Sequence, residues 1–109
     1  MANLRASLEH AAELFEEPIE AMVVGKHDSA DWSAPPLPDE NVLLSAEAGL
    51  AKVDQNYNNS YGGADCFPLY AWTKSRVFFV HEYDGSTGVV WAPRNPMDLE
   101  PEFGGQGYG

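Results

Sequence analysis

Three runs in the second half of the chain constrain its fold most: "CFPLYAWT" (66–73), "RVFFVHEY" (76–83) and "GVVWAP" (88–93). All are dense in aromatic and β-branched residues, which suit a pleated, half-buried surface. The connections "TKSR" and "YDGSTG" are of turn length, and Asp84-Gly85 is a turn-forming pair. The runs therefore predict an antiparallel meander. A turn that pairs Thr73 with Arg76 sets Ala71 opposite Phe78 and Leu69 opposite Val80 on one side. The other side then carries Cys66, Pro68, Tyr70, Trp72, Val77, Phe79, His81 and Tyr83. The first set is smaller and more aliphatic, as a helix-covered face should be, whereas polar-tipped aromatics suit a half-wet surface or an interface.

The first half reads differently. Across residues 3–17, "NLRASLEHAAELFEE", Leu4, Leu8, Ala11, Ala12 and Phe15 recur at three- and four-residue spacing, the stripe of an amphipathic helix. Asn3 is its N-cap and Pro18 its stop. A strand follows from Ile19 to Lys26, with Gly25 at its end. Residues 28–41 hold Pro35, Pro36 and Pro38, which forbid regular structure there. A second helix is expected over 42–55, with Val42, Leu43, Ala46, Leu50 and Val53 as its apolar side and Gly49 as a weak point. "NYNNSYGGADC" (56–66) reads as a connector; its Tyr57 and Tyr61 are candidates for a secondary contact, with Tyr70 and Trp72 on the sheet. The order α-β-α-β-β-β predicts an α+β fold, two helices on one face of a small antiparallel sheet made of the C-terminal meander and one N-terminal strand. Residues 1–95 form a single domain in this reading, and 96–109, rich in Gly and Pro, a flexible tail.

Charge sorts the functions. Seventeen Asp and Glu against six Lys and Arg give a formal charge of −11 over 109 residues. Such a field repels phosphate backbones and anionic membranes, which argues against direct nucleic-acid or bilayer binding. It attracts basic surfaces, and in cells these are mostly built to hold nucleic acid. Simple solubility explains the same composition. One cysteine fits a reducing, cytoplasmic setting. "MANLRASLEHAAELFEE" carries glutamates where a signal peptide needs an apolar run, and no 18 apolar residues occur together.

Motifs for chemistry are sparse. In the register above, Cys66 and His81 share a face with Asp65 nearby, the ingredients of a thiol nucleophile and its base. A lone cysteine, however, ordinarily behaves as a small buried hydrophobe. His10, His27 and His81 lack metal-site spacing, and neither "DSADW" nor "HEYD" alternates ligands as a calcium loop does. "YGG" and "GGQGYG" do not bridge a strand to a helix as a phosphate loop must. No catalytic residue, metal or cofactor is expected.

"YAWTKSRVFFVHEYDGSTGVVWAPRNP" resembles the aromatic meander and "YDGST…PRNP" ending of small uncharacterised phage and prophage proteins. The resemblance covers about 30 residues. It implies a phage context, in which small acidic proteins, anti-CRISPR proteins among them, block host defence enzymes. The expectation is a non-enzymatic, DNA-mimic-like inhibitor that docks on a basic nucleic-acid-binding partner such as a CRISPR effector. Its partner-binding acids would be Glu9, Glu13, Glu16, Glu17 and Glu20, extended by Asp28 and Asp31. The alternative is a phage structural or accessory protein that oligomerises through the aromatic sheet face.

Overall fold

Asn3 opens the first helix as its side chain dictates: Oδ1 accepts the Ala6 N–H at 2.9 Å, satisfying an otherwise orphaned donor. The computed structural model describes residues 2–57, 65–83, 86–98 and 100–101, and the Tyr83 and Ser86 side chains lie outside what it describes. In chain order the elements are β1 (Ala2–Asn3), α1 (Leu4–Leu14), β2 (Ala21–Val24), β3 (Leu43–Ser45), α2 (Ala46–Lys52), β4 (Asn56–Tyr57), β5 (Leu69–Trp72), β6 (Arg76–Tyr83) and β7 (Ser86–Pro93). The α+β class stands: two helices, a five-stranded antiparallel sheet in the order β3-β2-β5-β6-β7, and a two-stranded β1-β4 sheet.

Helix α1 stops at Leu14, short of the expected 17. Proline is not the immediate cause. Glu16 takes the left-handed conformation at φ 55°, its N–H donates to Glu13 O, and the Glu17 N–H reaches back to Ala12 O. This is the Schellman arrangement, with glutamate where glycine is usual. It swings Glu16 and Glu17 off the helical spiral.

The second helix also departs from expectation. Val42 and Leu43 were to lie on its apolar side, yet residues 43–45 form strand β3, which pairs with β2 through Leu43–Val23, Leu44–Met22 and Ser45–Ala21. Val42 is 43% and Leu43 72% exposed. Ser45 decides the boundary, because its Oγ accepts the Ala48 N–H at 3.2 Å and starts the helix four residues later than the apolar pattern implies. The helix ends at Lys52, with Val53 as its cap and fully buried.

Gly49 marks how closely α2 lies on β2. A Cβ there would stand 2.7 Å from both Cβ and Sδ of Met22. Gly49→Ala is therefore expected to destabilise the protein by about 1–3 kcal/mol through overpacking, although alanine is the better helix former by about 1 kcal/mol. Urea unfolding of the variant checks the sign.

The meander register is the expected one: Ala71 pairs with Phe78, Tyr70 with Phe79 and Trp72 with Val77. Pairing continues through all five strands and lays side chains in rows. On the helix side, Leu44, Met22, Ala71, Phe78 and Trp91 form one row. Leu4, Leu8 and Ala11 of α1 join these strands in one buried cluster with Val24, Val53, Leu69 and Val89. On the other side lie Ser45, Ala21, Trp72, Val77 and Ala92, then Leu43, Val23, Tyr70, Phe79 and Val90.

Cys66 corrects the expected face assignment. It precedes β5 and sits in the helix-side core, 2% exposed, because residues 66–68 have not yet entered the pleat that would alternate them. The Asp84-Gly85 turn and residues 58–64 of the expected connector lie outside the described residues. Of the expected tail, 96–98 and 100–101 are exposed and belong to no strand or helix, and 99 and 102–109 lie outside.

Candidate acidic docking surface

Helix α1 turns Glu9 and Glu13 outward because they occupy the positions between Leu8, Ala11 and Ala12 that do not reach the sheet; both are exposed, as is Glu16. Between α1 and α2 lies a groove of about 580 Å³. Glu9, Glu13, Glu16 and Glu17 rim it, and Ala12, Pro18, Ile19 and Leu50 form its floor. Glu9 is held by Arg5 one helical turn back, at 3.2 Å. Among the described residues, Glu13 and Glu16 have no ion-pair partner.

The remaining members of the expected ladder are occupied or distant. Glu17 faces inward as well as toward the groove. It accepts from Thr73 Oγ1 at 2.7 Å, from the Ser75 N–H at 3.2 Å and from Ser75 Oγ, and it pairs with Arg76 Nη1 at 3.2 Å. Burial by itself would raise the Glu17 carboxyl, but the Ser75 and Thr73 hydroxyls, the Ser75 N–H and the Arg76 charge together hold it below its ordinary value. The Arg76 guanidinium is clamped between rings, 3.9 Å from the Phe15 centroid and 4.7 Å from that of Trp91. This network ties the end of α1 to the β5–β6 turn. Glu20 is exposed and pairs with Arg94 at 2.8 Å.

Asp28 and Asp31 stand apart. The Glu20 N–H donates to Trp72 O, whereas the Asp28 N–H donates to Cys66 O, so the two acids sit at opposite ends of the β5 segment. Six residues at a strand's rise separate them by on the order of 20 Å. Asp31 is exposed, and the hydroxyl and N–H of Ser33, at 2.7 and 3.0 Å, hold its carboxyl below the usual range. The expected continuous ladder is thus two separate acidic groups.

Of the candidates for secondary contact, Tyr57 is 1% exposed, with its hydroxyl 3.3 Å from Ser7 Oγ; it is a core residue. Tyr61 lies outside the described residues. Tyr70 is 54% exposed and its ring lies 5.9 Å from that of Trp72. Cys66 also lines a smaller cleft of about 280 Å³ with Lys26, Asp28 and Trp32. Burial, reinforced by Asp65 and Asp28, pushes its thiol up to about 11, so it is protonated near neutral pH and a poor nucleophile. His81 lies on β6 and pairs with Gly88, away from the core that holds Cys66. No three His, Cys, Asp or Glu side chains converge as a metal site among the described residues, and no helix there is long and apolar enough to cross a membrane.

Sequence reasoning missed the apolar floor of the groove and the inward role of Glu17. Ile19 and Leu50 belong to different segments, and only the fold brings them beside Glu13 and Glu16. No protein-family model, curated protein or solved structure matches the chain.

Proposed function

We propose that this chain is a non-catalytic binding protein that docks its α1–α2 groove on a basic, nucleic-acid-binding partner. The observation that carries the reading is the pairing of exposed Glu13 and Glu16, which have no ion-pair partner among the described residues, with an apolar floor. Lysine and arginine bury aliphatic stems and present a charged head, so such a groove accommodates both parts of the side chains that a nucleic-acid-binding surface displays. The net charge of −11 steers the encounter from a distance and disfavours nucleic acid itself. In its sharpest form the protein is a phage anti-defence factor, an anti-CRISPR among them, that occupies the DNA path of its target in the host cytoplasm.

Capture of binding partners from host lysate at rising salt tests this. Association through the groove should fall steeply as the screening length contracts toward about 3 Å at 1 M salt. Recovery of no nucleic-acid-processing protein at low salt, or retention indifferent to salt, would count against it.

A further inference from the structure

We infer that the cleft walled by Trp32 is a binding site for a small organic cation, an amidine, guanidine or amine carried on an apolar body. The inference is independent of the acidic groove, from which the cleft is separated by the length of β5. The site begins where the cover of the sheet thins. Phe78, Val80 and Glu82 follow one another on the helix side of β6; Phe78 is fully buried, Val80 half-buried and Glu82 exposed. Beside them the loop after β2 is tied down. The Asp28 N–H donates to Cys66 O, Lys26 Nζ donates to Asp31 O at 3.2 Å and to Ala34 O at 2.9 Å, and Trp32 Nε1 donates to Asp28 O at 3.3 Å. An indole that is 65% exposed is thereby held on the wall of the cleft.

The lining pairs an apolar floor with negative charge. Cys66, Phe67, Pro68 and Val80 supply the floor, and Asp28 and Glu82, both exposed, line the mouth. Neither acid has an ion-pair partner among the described residues. After burial itself, Asp65 and Asp28 are what push the Cys66 thiol up, so the field of both carboxylates reaches the floor. Lys26 opposes them, but its ammonium is engaged by the two loop carbonyls. Across β6 and β7 from Glu82, on the same side of the sheet, stands Thr87. It is 4% exposed, and its Oγ1 has no hydrogen-bond partner. Cross-strand neighbours stand about 4.5–5.5 Å apart at Cβ, so an acceptor in want of an N–H adjoins the carboxylate.

The chain already holds one cation with these ingredients. Arg76 lies 3.9 Å from the Phe15 centroid and 4.7 Å from that of Trp91, with the Glu17 carboxylate at 3.2 Å. The cleft offers Trp32 and Phe67 with Asp28 and Glu82, and among the described residues no lysine or arginine stands over the Trp32 ring. Indole is the ring that attracts cations most strongly, and a planar amidinium or guanidinium both stacks on it and forks to a carboxylate. The same field repels anions. At about 280 Å³ the cleft falls just below the about 300–1,000 Å³ of drug-sized sites. It suits a single ring or short chain, not a nucleotide or a large cofactor.

Benzamidine titrated into the nitrogen-15-labelled full chain tests the inference, read at the indole N–H signals of Trp32, Trp72 and Trp91. The Trp32 signal, identified as the one lost in Trp32→Phe, should move saturably with a dissociation constant of about 1 mM or tighter. Those of Trp72 and Trp91 should stay in place. Benzamide has the same shape without the charge and should bind at least about 10-fold more weakly. Asp28→Asn/Glu82→Gln should weaken benzamidine by about 10-fold or more, because charge-assisted hydrogen bonds are lost; both positions are exposed, and unchanged core amide signals verify its fold. Glu13→Gln/Glu16→Gln removes the same charge from the groove and should leave the constant within a few-fold. Absence of a saturable shift overturns the inference. So does equal binding of benzamide, or a loss from the groove variant as large as that from the cleft variant.

Discussion

Replacing Glu17 with alanine is expected to cost the protein about 2–3 kcal/mol, below the range for a fully buried ion pair because water still reaches part of both side chains. The magnitude follows from what Glu17 leaves behind. The Arg76 side chain is only 13% exposed and that of Glu17 17%. Arg76 cannot retreat to water without leaving the Phe15 and Trp91 rings. Without the carboxylate the guanidinium stays largely desolvated with only the Ser75 hydroxyl beside it, the Ser75 N–H and hydroxyl lose their acceptor, and Thr73 Oγ1 keeps only the longer bond to Arg76 O. A loss of that size is a large fraction of the 5–15 kcal/mol that holds a domain together. The double variant Glu17→Ala/Arg76→Met removes the stranded charge and keeps a polarisable chain between the rings. It should unfold at a higher urea midpoint than Glu17→Ala alone. If the two are equal, the cost lies in the Ser75 turn rather than in the buried charge.

The same network sets an acid limit. The folded-state pKa of Glu17 lies below its ordinary 4.5, so the folded protein binds the proton less readily than the unfolded chain. Its contribution to stability is complete above 4.5 and is lost as pH falls through the folded value. In Glu17→Gln that segment of the pH–stability curve should flatten. Asp31 has the same sign, but it is fully exposed and solvent screens its partners.

Which parts of this structure could be read from the sequence depends on how local their causes are. The meander register followed from a short turn and side-chain alternation, both encoded within a few residues, and Ala71–Phe78 and Trp72–Val77 pair as expected. The Asn3 cap is equally local. Strand β3 is hidden because Val42 and Leu43 satisfy a helical period with Ala46, Leu50 and Val53; tertiary pairing with Met22 and Val23, together with the Ser45 cap, overrides it. Glu17 looked like one more solvated acid because its partners are 56 to 59 positions away. The available hint was a lone arginine opening a strand otherwise full of aromatics, since a charge entering a core needs a countercharge. Alternation extended past Leu69, where the strand begins, puts Cys66 on the wrong face.

Reversing Glu9, Glu13 and Glu16 together to lysine is expected to abolish binding to a basic partner while leaving the fold intact. All three are exposed, so the reversal exchanges one like-charged i,i+4 pair for another and turns the exposed Arg5–Glu9 contact repulsive, costs of a few tenths of a kcal/mol each that the fold absorbs. At an interface the balance changes. A charge pair that becomes desolvated can contribute more than 2 kcal/mol, and reversal replaces attraction by repulsion. Two such pairs lost are worth a factor of roughly 1,000 in affinity. Two control reversals locate the effect. Asp28→Lys/Asp31→Lys changes net charge by about two-thirds as much at the far end of the sheet, and Asp98→Lys/Glu100→Lys does the same beyond β7. Both should act mainly on association rate and salt dependence, with modest loss of affinity. Calorimetric titration of a captured partner against the three variants separates the possibilities. Equal loss from all three would mean that only net charge matters, and a larger loss from either control than from the groove would assign the docking surface elsewhere.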